Sequence, residues 1–372
     1  MKKINNEIKN KTVLVRVDYN VPIKNNKVES NFRIKTSLDT INLLLENKNK
    51  VVLMTHLGRP KGKVDKKLRL DPIKKELENL TKKEILKLDD CINQKQKIKN
   101  AKEEIILLEN LRFHKGEKRN GEKFAKELAK QGDIFVFDAF SVSHRKHAST
   151  YQITNHIESF YGLRLKKELD NLKKVTKNPE KPLSVIMGGA KLSTKLPAIK
   201  QLIDKSENIF IGGAMAFTFI KAMGYEIGNS LYEKEFIDNA KELLKTKKII
   251  IPKDFVCLID GKDKTLSYKK IKGIGLDIGK KSIKQIKKIS KKSKTILWNG
   301  PMGKFEDKRY SKGTKRTVNI LSESKSKVIC GGGETLQAIQ ELKKEDSFYF
   351  LSTGGGALLN YLENQKIMLE EK

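Results

Sequence analysis

Short apolar runs alternate with amphipathic stretches along the whole chain, and this alternation limits the possible folds more than any other feature. The apolar runs have the length of strands, and stretches such as 121–131 and 232–245 have the spacing of helices. Such alternation is typical of parallel sheets that are covered by helices. The predicted strands are 11–18, 50–56, 84–88, 103–110, 133–140, 182–189, 208–213, 248–255, 294–300, 327–333 and 348–356.

The two series of strands are separated by one helical stretch and a proline-containing break. Apolar residues recur at helical spacing over 160–175, and NPEKP at 178–182 ends the pattern with two prolines. A chain of 372 residues is long enough for two cores. We therefore predict an α/β fold with two doubly wound, Rossmann-like parallel-sheet domains joined by a hinge helix. The predicted segments are a first domain at 1–158, a helix and linker at 159–181, a second domain at 182–350 and a C-terminal segment at 351–372.

The formal net charge of +33 raises the hypothesis of a nucleic-acid-binding protein. Most of the basic residues are lysines, and they are spread over the whole chain. A specific nucleic-acid surface usually concentrates arginine and lysine on one face, often with aromatic residues. We expect no specific nucleic-acid partner, and a salt titration would test the alternative.

The N-terminus and the cysteines indicate where the protein resides. The first ten residues are mostly polar, and no apolar run approaches the roughly 20 residues that a membrane span needs. We expect a soluble, cytoplasmic protein without a membrane partner. Cys91, Cys257 and Cys330 lie far apart, so we expect reduced, mostly buried thiols. The histidines and carboxylates show no metal-ligand spacing, so a structural zinc is not expected; the histidines in question are His114, His144 and His147.

Polar and basic residues gather at the ends of the predicted strands in the first half. Asp18 and Asn20 occupy alternating positions after an apolar run, so both side chains are expected at the same edge, where they suit substrate hydroxyl groups. His56, with Gly58 and Arg59 beside it, favours an anion contact; the alternative is a packed polar residue at a strand end. In open α/β sheets, ligands bind at this edge, and guanidinium groups match phosphate or carboxylate. The arginines placed there are Arg33, Arg59, Arg112 and Arg145.

Glycine turns dominate the same edge in the second half, at 188–189, 212–213, 331–333 and 354–356. Glycine turns that lead into helices expose backbone N–H groups to phosphate, which favours a nucleotide. The alternative is that tight turns simply need glycine. The sequence contains no P-loop and no protein-kinase motif set, and GIGLDIG at 273–279 lacks the spacing of a dinucleotide fingerprint. A small anion in one domain and a nucleotide in the other is the layout of a two-domain kinase.

With these motifs in view, the chain resembles the phosphoglycerate kinase family over nearly its full length. The resemblance rests on motifs in the family's order: VLVRVDYNVP (13–22), THLGRPKG (55–62), LLENLRFHKGE (107–117), DAFSVSHRKHAST (138–150), GGAKLSTK (188–195), IGGAMAFTF (211–219), GLDIG (275–279), WNGPMGKFE (298–306), GGGET (331–335) and STGGGA (352–357).

The resemblance implies reversible, Mg²⁺-dependent phosphoryl transfer between ATP and 3-phosphoglycerate after hinge closure, in a glycolytic monomer. It also implies that the C-terminal segment returns towards the first domain. A catalytically degenerate, kinase-like ligand binder is the alternative. The implied 3-phosphoglycerate contacts are Asp18, Tyr19, Asn20, Arg33, His56, Leu57, Gly58, Arg59, Arg112 and Arg145. The implied nucleotide contacts are Gly189, Ala190, Lys191, Lys195, Gly212, Gly213, Gly275, Asn299, Gly300, Glu306, Gly332, Gly333, Glu334 and Thr335. The implied catalytic residues are Arg33, Lys191 and Lys195, and the implied Mg²⁺ ligand is Glu334.

Overall fold

The computed structural model describes residues 1–370, which form two compact units. The first unit comprises Met1–Asp170 and the described end of the chain from Lys366, and the second comprises Asn171–Gln365. The predicted domain boundaries and the return of 351–372 stay predictions, and the last two residues of that segment lie outside the described residues. Within residues 1–370, no helix combines the length and the apolar character that a membrane span requires.

The first unit is built on a seven-stranded parallel sheet with the strand order β1-β9-β8-β2-β5-β7-β6, and β3 and β4 form a short antiparallel hairpin. Its strands are β1 (Lys2–Lys3), β2 (Thr12–Arg16), β3 (Ile23–Lys24), β4 (Lys27–Val28), β5 (Lys50–Met54), β6 (Ile85–Lys87), β7 (Ile105–Leu107), β8 (Ile134–Phe137) and β9 (Ser159–Tyr161). Its helices are α1 (Phe32–Lys35), α2 (Leu38–Glu46), α3 (Asp71–Thr81), α4 (Lys95–Asn100), α5 (Lys115–Lys118), α6 (Glu122–Ala129) and the start of α7 (Leu163–Thr176).

The second unit has a six-stranded parallel sheet with the order β12-β11-β10-β16-β17-β18 and a separate antiparallel sheet with the order β14-β13-β15. Its strands are β10 (Leu183–Met187), β11 (Asn208–Ile211), β12 (Ile249–Ile250), β13 (Asp254–Ile259), β14 (Lys262–Ser267), β15 (Ile274–Ile278), β16 (Thr295–Asn299), β17 (Lys327–Gly331) and β18 (Phe350–Ser352). Its helices are α8 (Leu196–Ile203), α9 (Met215–Ala222), α10 (Ile237–Lys245), α11 (Lys280–Lys292), α12 (Lys312–Ser322), α13 (Gly333–Glu341) and α14 (Gly356–Asn364).

The central strands of both parallel sheets are buried on both faces. In β2 every residue after Thr12 is buried, and in β16 all five residues are buried. Continuous apolar runs of this kind are typical of parallel strands that helices cover on both sides. Each fully buried Val, Leu or Ile side chain contributes roughly 1.5–3 kcal/mol, so these strands hold their carboxyl ends firmly in place. The predicted α/β fold with parallel sheets is confirmed, and all three cysteines are buried as predicted.

Two parts of the fold differ from the sequence prediction. A single strand was expected at 248–255, but β12 ends at Ile250 and a new strand, β13, begins at Asp254 in the antiparallel sheet. Pro252 lies between them, and proline cannot donate to a strand ladder. The helix expected at 160–175 begins at Leu163, because the residues before it form β9.

Candidate functional site

In the first unit, four side chains of the predicted anion site follow four strands of the parallel sheet. Asp18 follows β2, His56 follows β5, Arg112 follows β7 and Arg145 follows β8. The carboxyl ends of parallel strands meet at one edge of the sheet, where ligands of open α/β sheets bind. The structure therefore places these predicted residues at one edge.

Arg16, at the end of β2, sets the tautomer of His56. Arg16 is fully buried; its Nε donates to Ser149 Oγ (2.9 Å), Nη2 donates to His56 Nδ1 (3.0 Å), and Nη1 donates to the Val17 carbonyl. A guanidinium group has only donors, so Nδ1 must accept and the imidazole proton lies on Nε2. Burial lowers the pKa of His56 well below its ordinary value, and the charges of Arg16, Arg112, Arg145 and Arg33 lower it further. His56 is thus a neutral Nε2–H donor at pH 7.

Asp18 is bound by protein donors and orients Arg33. Its carboxylate forms an ion pair with Arg33 Nη1 and accepts hydrogen bonds from Ser141 Oγ (2.5 Å) and the Asn20 backbone N–H (3.1 Å). The side chain of Asn20 accepts from the Gly58 N–H (2.9 Å), so the two residues predicted to meet substrate hydroxyls also brace the edge. Asp18 therefore holds Arg33 in one orientation.

Positive charge exceeds negative charge at this edge. Burial, together with the positive charges of Arg145 and Arg16, lowers the pKa of Arg112 to about 10. Burial also lowers the pKa of Arg145, with Arg59 and Arg33 adding to the effect. Arginine remains charged under these shifts, so several guanidinium groups repel one another across a partly desolvated space. An anion of more than one charge would relieve this repulsion.

Three residues of the predicted 3-phosphoglycerate set are placed differently from those described above. The Tyr19 ring is buried in the core, its hydroxyl lies 2.8 Å from Ser37 Oγ, and its backbone N–H donates to Thr55 Oγ1 (2.9 Å). Leu57 is also buried, and its backbone exchanges hydrogen bonds with the Asn110 side chain at 3.1 and 2.8 Å. Arg59 is exposed.

Sequence reasoning missed the buried layer beneath the edge. Arg16 binds Ser149, and both the Ser149 backbone N–H (3.0 Å) and its hydroxyl (2.7 Å) donate to the fully buried Glu117. A signal was present, because an arginine inside the apolar run VLVRV is costly unless other groups satisfy it. The pattern does not reveal which groups do so.

In the second unit, a cavity of about 290 Å³ is lined by six of the predicted nucleotide-binding residues, among others. These are Gly189, Ala190, Gly213, Gly275, Glu306 and Glu334. An apolar slot missed by the sequence reasoning lines the same cavity and includes Phe217, Leu231, Phe255 and Ile274. A Cβ on Gly275 would lie 2.2 Å from the Phe217 ring, so glycine is required for this slot to form.

The turn that begins α13 is shaped by Gly332 and braced by two polar side chains. Gly332 has φ +108°, a conformation that glycine adopts without strain. The Thr335 hydroxyl accepts from the Gly300 N–H (2.9 Å), and Asn299 Nδ2 donates to the Gly331 carbonyl (2.8 Å). The first N–H groups of α13, from the exposed Gly333 onward, have no partner within the helix, which suits a phosphate.

Lys195 and two acidic residues provide the charges of this region. Lys195 Nζ donates to Asn299 Oδ1, and burial lowers the pKa of Lys195 to about 8, while Glu334 acts in the opposite direction. Glu334 is exposed as a residue, yet desolvation raises the pKa of its carboxyl group; the charge of Glu306 raises it further and Lys195 lowers it. Lys191 is exposed. Two carboxylates that repel one another beside the glycine turn at the start of α13 suit a divalent cation with oxygen ligands.

These features are typical of one class of protein, the α/β phosphotransferases: guanidinium groups gather at the edge of one parallel sheet, and glycine turns line a pocket in the other unit. A family model for phosphoglycerate kinase matches residues 1–365. The chain belongs to the phosphoglycerate kinase family and is therefore a phosphotransferase with a carboxyl group as acceptor, which confirms the resemblance seen in the sequence motifs.

Individual relatives cover almost the entire chain. Phosphoglycerate kinase of Dictyoglomus turgidum is 44% identical over 376 residues, which cover 97% of this chain and 95% of the relative. Phosphoglycerate kinase of Aquifex aeolicus is 42% identical over 377 residues, with the same coverage of 97% and 95%. The solved structure of phosphoglycerate kinase from Coxiella burnetii superposes with a TM-score of 0.81 at 34% identity and covers 96% of this chain and 95% of its own. The solved structure of phosphoglycerate kinase from Pyrococcus horikoshii superposes with a TM-score of 0.88 at 27% identity, and it covers 100% of this chain and 98% of its own.

Proposed function

We propose that the protein catalyses reversible, Mg²⁺-dependent phosphoryl transfer between ATP and 3-phosphoglycerate, giving ADP and 1,3-bisphosphoglycerate. The observation that carries the proposal is the surplus of guanidinium groups around the neutral His56, which matches a small anion bearing both a carboxylate and a phosphate. The proposal includes transfer after hinge closure, a role in glycolysis and gluconeogenesis, and a cytoplasmic monomer.

In the first unit, the donors are proposed to hold 3-phosphoglycerate. His56 Nε2–H and the guanidinium groups of Arg112 and Arg145 supply directed hydrogen bonds to its anionic oxygens. Arg33, held by Asp18, is proposed to face the phosphoryl group that moves. Arg59, at the exposed rim, attracts the incoming anion.

In the second unit, the glycine turns are proposed to hold the nucleotide phosphates. The apolar slot with Phe217 and Gly275 suits the flat face of a base. The N–H groups at the start of α13, together with Lys195 and Lys191, contact the phosphate oxygens and balance charge that develops during transfer. Glu334, with Glu306 nearby, is proposed to hold the Mg²⁺ that arrives with the nucleotide. When bound, Mg²⁺ neutralises phosphate charge and orients the transferred group.

This phosphoryl transfer depends on the placement of the reacting groups more than on acid–base catalysis. A carboxylate with an ordinary pKa of about 3.5 is already ionised at neutral pH, so the acceptor needs no general base. Its oxygen forms the bond to the γ-phosphorus while the bond from that phosphorus to the bridging oxygen breaks, and ADP leaves with the electron pair. In-line placement and surrounding cations are the main requirements of such a transfer. A neutral His56 that donates a hydrogen bond fits this demand.

A coupled assay with ATP, Mg²⁺ and 3-phosphoglycerate tests the proposal. Turnover that requires all three components is expected. Folded protein that binds both substrates without turnover would instead support the degenerate ligand binder. Binding of neither substrate, together with steeply salt-dependent binding to nucleic acid, would support the remaining alternative.

A further inference from the structure

Three metal-ligating side chains of different types, none of them assigned to 3-phosphoglycerate, converge in the first unit. The ligand atoms of Asp90, Cys91 and His114 all lie within 4.8 Å of one another. His114 Nε2 is 2.6 Å from Asp90 Oδ1, and the backbone N–H of Cys91 donates to the same oxygen at 2.6 Å. The sequence showed no metal-ligand spacing here, because His114 comes from a separate segment.

The surrounding residues hold the Cys91 loop and the His114 ring in place. Gln131 Nε2 donates to the Cys91 carbonyl (2.6 Å), and Gln131 Oε1 accepts from the Gln94 N–H (3.0 Å), so the loop that carries Cys91 is fixed. The Phe124 ring stacks on His114 with 5.1 Å between the ring centroids. A ligand set that is already ordered loses little entropy when a metal binds.

The cluster is open to solvent on one side. The Cys91 side chain is buried, whereas the Asp90 and His114 side chains retain 46% and 28% of their exposure. A cation can therefore approach from the carboxylate and imidazole side, and the buried sulfur, which lies within 4.8 Å of both other ligand atoms, would complete the set. An entry path is one of the requirements for a functional metal site.

The ligand types restrict which cation can bind. Thiolate and imidazole favour zinc-class ions, which four ligands bind tetrahedrally, whereas Mg²⁺ and Ca²⁺ prefer oxygen ligands. We propose that Asp90, Cys91 and His114 form a site for a borderline-soft divalent cation such as Zn²⁺, with water as the fourth ligand. On binding, the S–H bond breaks, a sulfur–metal bond forms, and the thiol proton passes to solvent. The hydrogen bond between His114 Nε2 and Asp90 Oδ1 is replaced by bonds from both atoms to the cation, and the proton of the neutral imidazole then lies on Nδ1.

The site would join two segments of the first unit. Cys91 lies in the loop after β6, and His114 lies two positions beyond Arg112 and directly before α5. A bound cation would clamp the Arg112 segment to this loop. It would thus stabilise the folded unit by an amount that grows with metal concentration.

Cobalt titration of the full-length, chelator-treated protein tests the proposal. Co²⁺ reports thiolate ligation through a near-ultraviolet charge-transfer band, which the all-oxygen site at Glu334 cannot produce. One equivalent of Co²⁺ per chain is expected to give this band, Zn²⁺ to abolish it, and excess Mg²⁺ to leave it unchanged. Zn²⁺ is also expected to raise the melting temperature.

Matched variants assign the signal to the cluster. Cys91→Ser is expected to lose the band and the Zn²⁺-dependent rise in melting temperature, whereas Cys257→Ser, which removes a buried thiol of the second unit, is expected to keep both. His114→Gln is expected to weaken Co²⁺ binding at least tenfold, by analogy with the roughly 10–100-fold losses seen when supporting residues of metal sites change. If Cys91→Ser does not fold, the Co²⁺ titrations of His114→Gln and Asp90→Asn test the proposal instead. A folded wild-type protein without the band, or a band that persists in Cys91→Ser or at full strength in His114→Gln, overturns the proposal.

Discussion

The hydrogen bond between Arg16 and His56 gives a prediction that can be worked out from the structure. Arg16→Lys keeps the positive charge but removes the planar fork that reaches both Ser149 Oγ and His56 Nδ1. Without a donor at Nδ1, the proton of His56 is free to occupy either ring nitrogen. The variant should therefore lose part of the population that presents Nε2–H to the anion.

The expected magnitude follows from the bonds that are lost. A hydrogen bond to a charged group contributes about 1.5–3 kcal/mol, and each 1.36 kcal/mol corresponds to a factor of ten in rate. Loss of the Arg16–His56 bond should thus lower kcat/KM for 3-phosphoglycerate by about 10–150-fold. KM for ATP should change little, because the pocket of the second unit is built from other residues.

The assay combines steady-state kinetics with ¹⁵N NMR of the histidines. In the wild-type protein, the ¹⁵N chemical shifts should show His56 as the neutral Nε2–H tautomer at pH 7. In Arg16→Lys, they should show a mixture of the two tautomers. Arg164→Lys is the control, since Arg164 is another buried arginine of the first unit and pairs with Glu168 (2.7 Å). A wild-type His56 that is protonated, or that carries its proton on Nδ1 at pH 7, would refute the reasoning.

Three further predictions concern the second unit and the pH dependence of the first. Lys195→Ala should lower kcat by about 10²–10³, as when one transition-state donor is removed, while calorimetry shows substantial 3-phosphoglycerate affinity; a near-normal kcat would contradict the assigned role. Glu334→Gln should weaken the use of Mg·nucleotide more than 3-phosphoglycerate binding, and equal losses in both titrations would remove the metal assignment. Burial lowers the pKa of His144 and His147 to about 4, and that of His56 is lowered as well. Since the unfolded histidines bind protons first, their contribution to stability should be fully present above about pH 6.5 and should fall towards pH 4, by up to roughly 1.4 kcal/mol per pH unit for each histidine. The buried carboxyl groups of Asp138 and Asp277, whose pKa values are raised to about 6 and about 7, act in the opposite direction. Urea unfolding of the wild type and of His147→Gln at several pH values isolates the histidine contribution, and an unchanged pH slope in the variant would be inconsistent with it.

The parallel sheets were predictable because their signal is local. The runs at 50–56 and 294–300 are apolar enough to be buried on both faces, and they became β5 and β16. The antiparallel sheet was not predictable in the same way. Its strand β14 is largely exposed and polar, so its place depends on pairing with β13 rather than on its own pattern.

The candidate site shows the same difference between features that are local in the chain and features that depend on distant residues. Glycine turns and arginines after strands are visible in the chain, because parallel topology brings strand ends together whatever the details of packing. The supporting contacts are not visible. Lys195 meets Asn299, and Arg16 meets His56, across long separations in the chain.

The sequence by itself determined the α/β class, the family, and the residue types at the edges of both sheets, since strand periodicity and glycine turns are properties of neighbouring residues. Only the tertiary structure decided which nitrogen of His56 holds the proton, how far the pKa of Lys195 falls, and that Asp90, Cys91 and His114 share one small volume. Tautomers, pKa values and metal-ligand sets depend on distance and desolvation, and these are set by segments that meet only after the chain has folded.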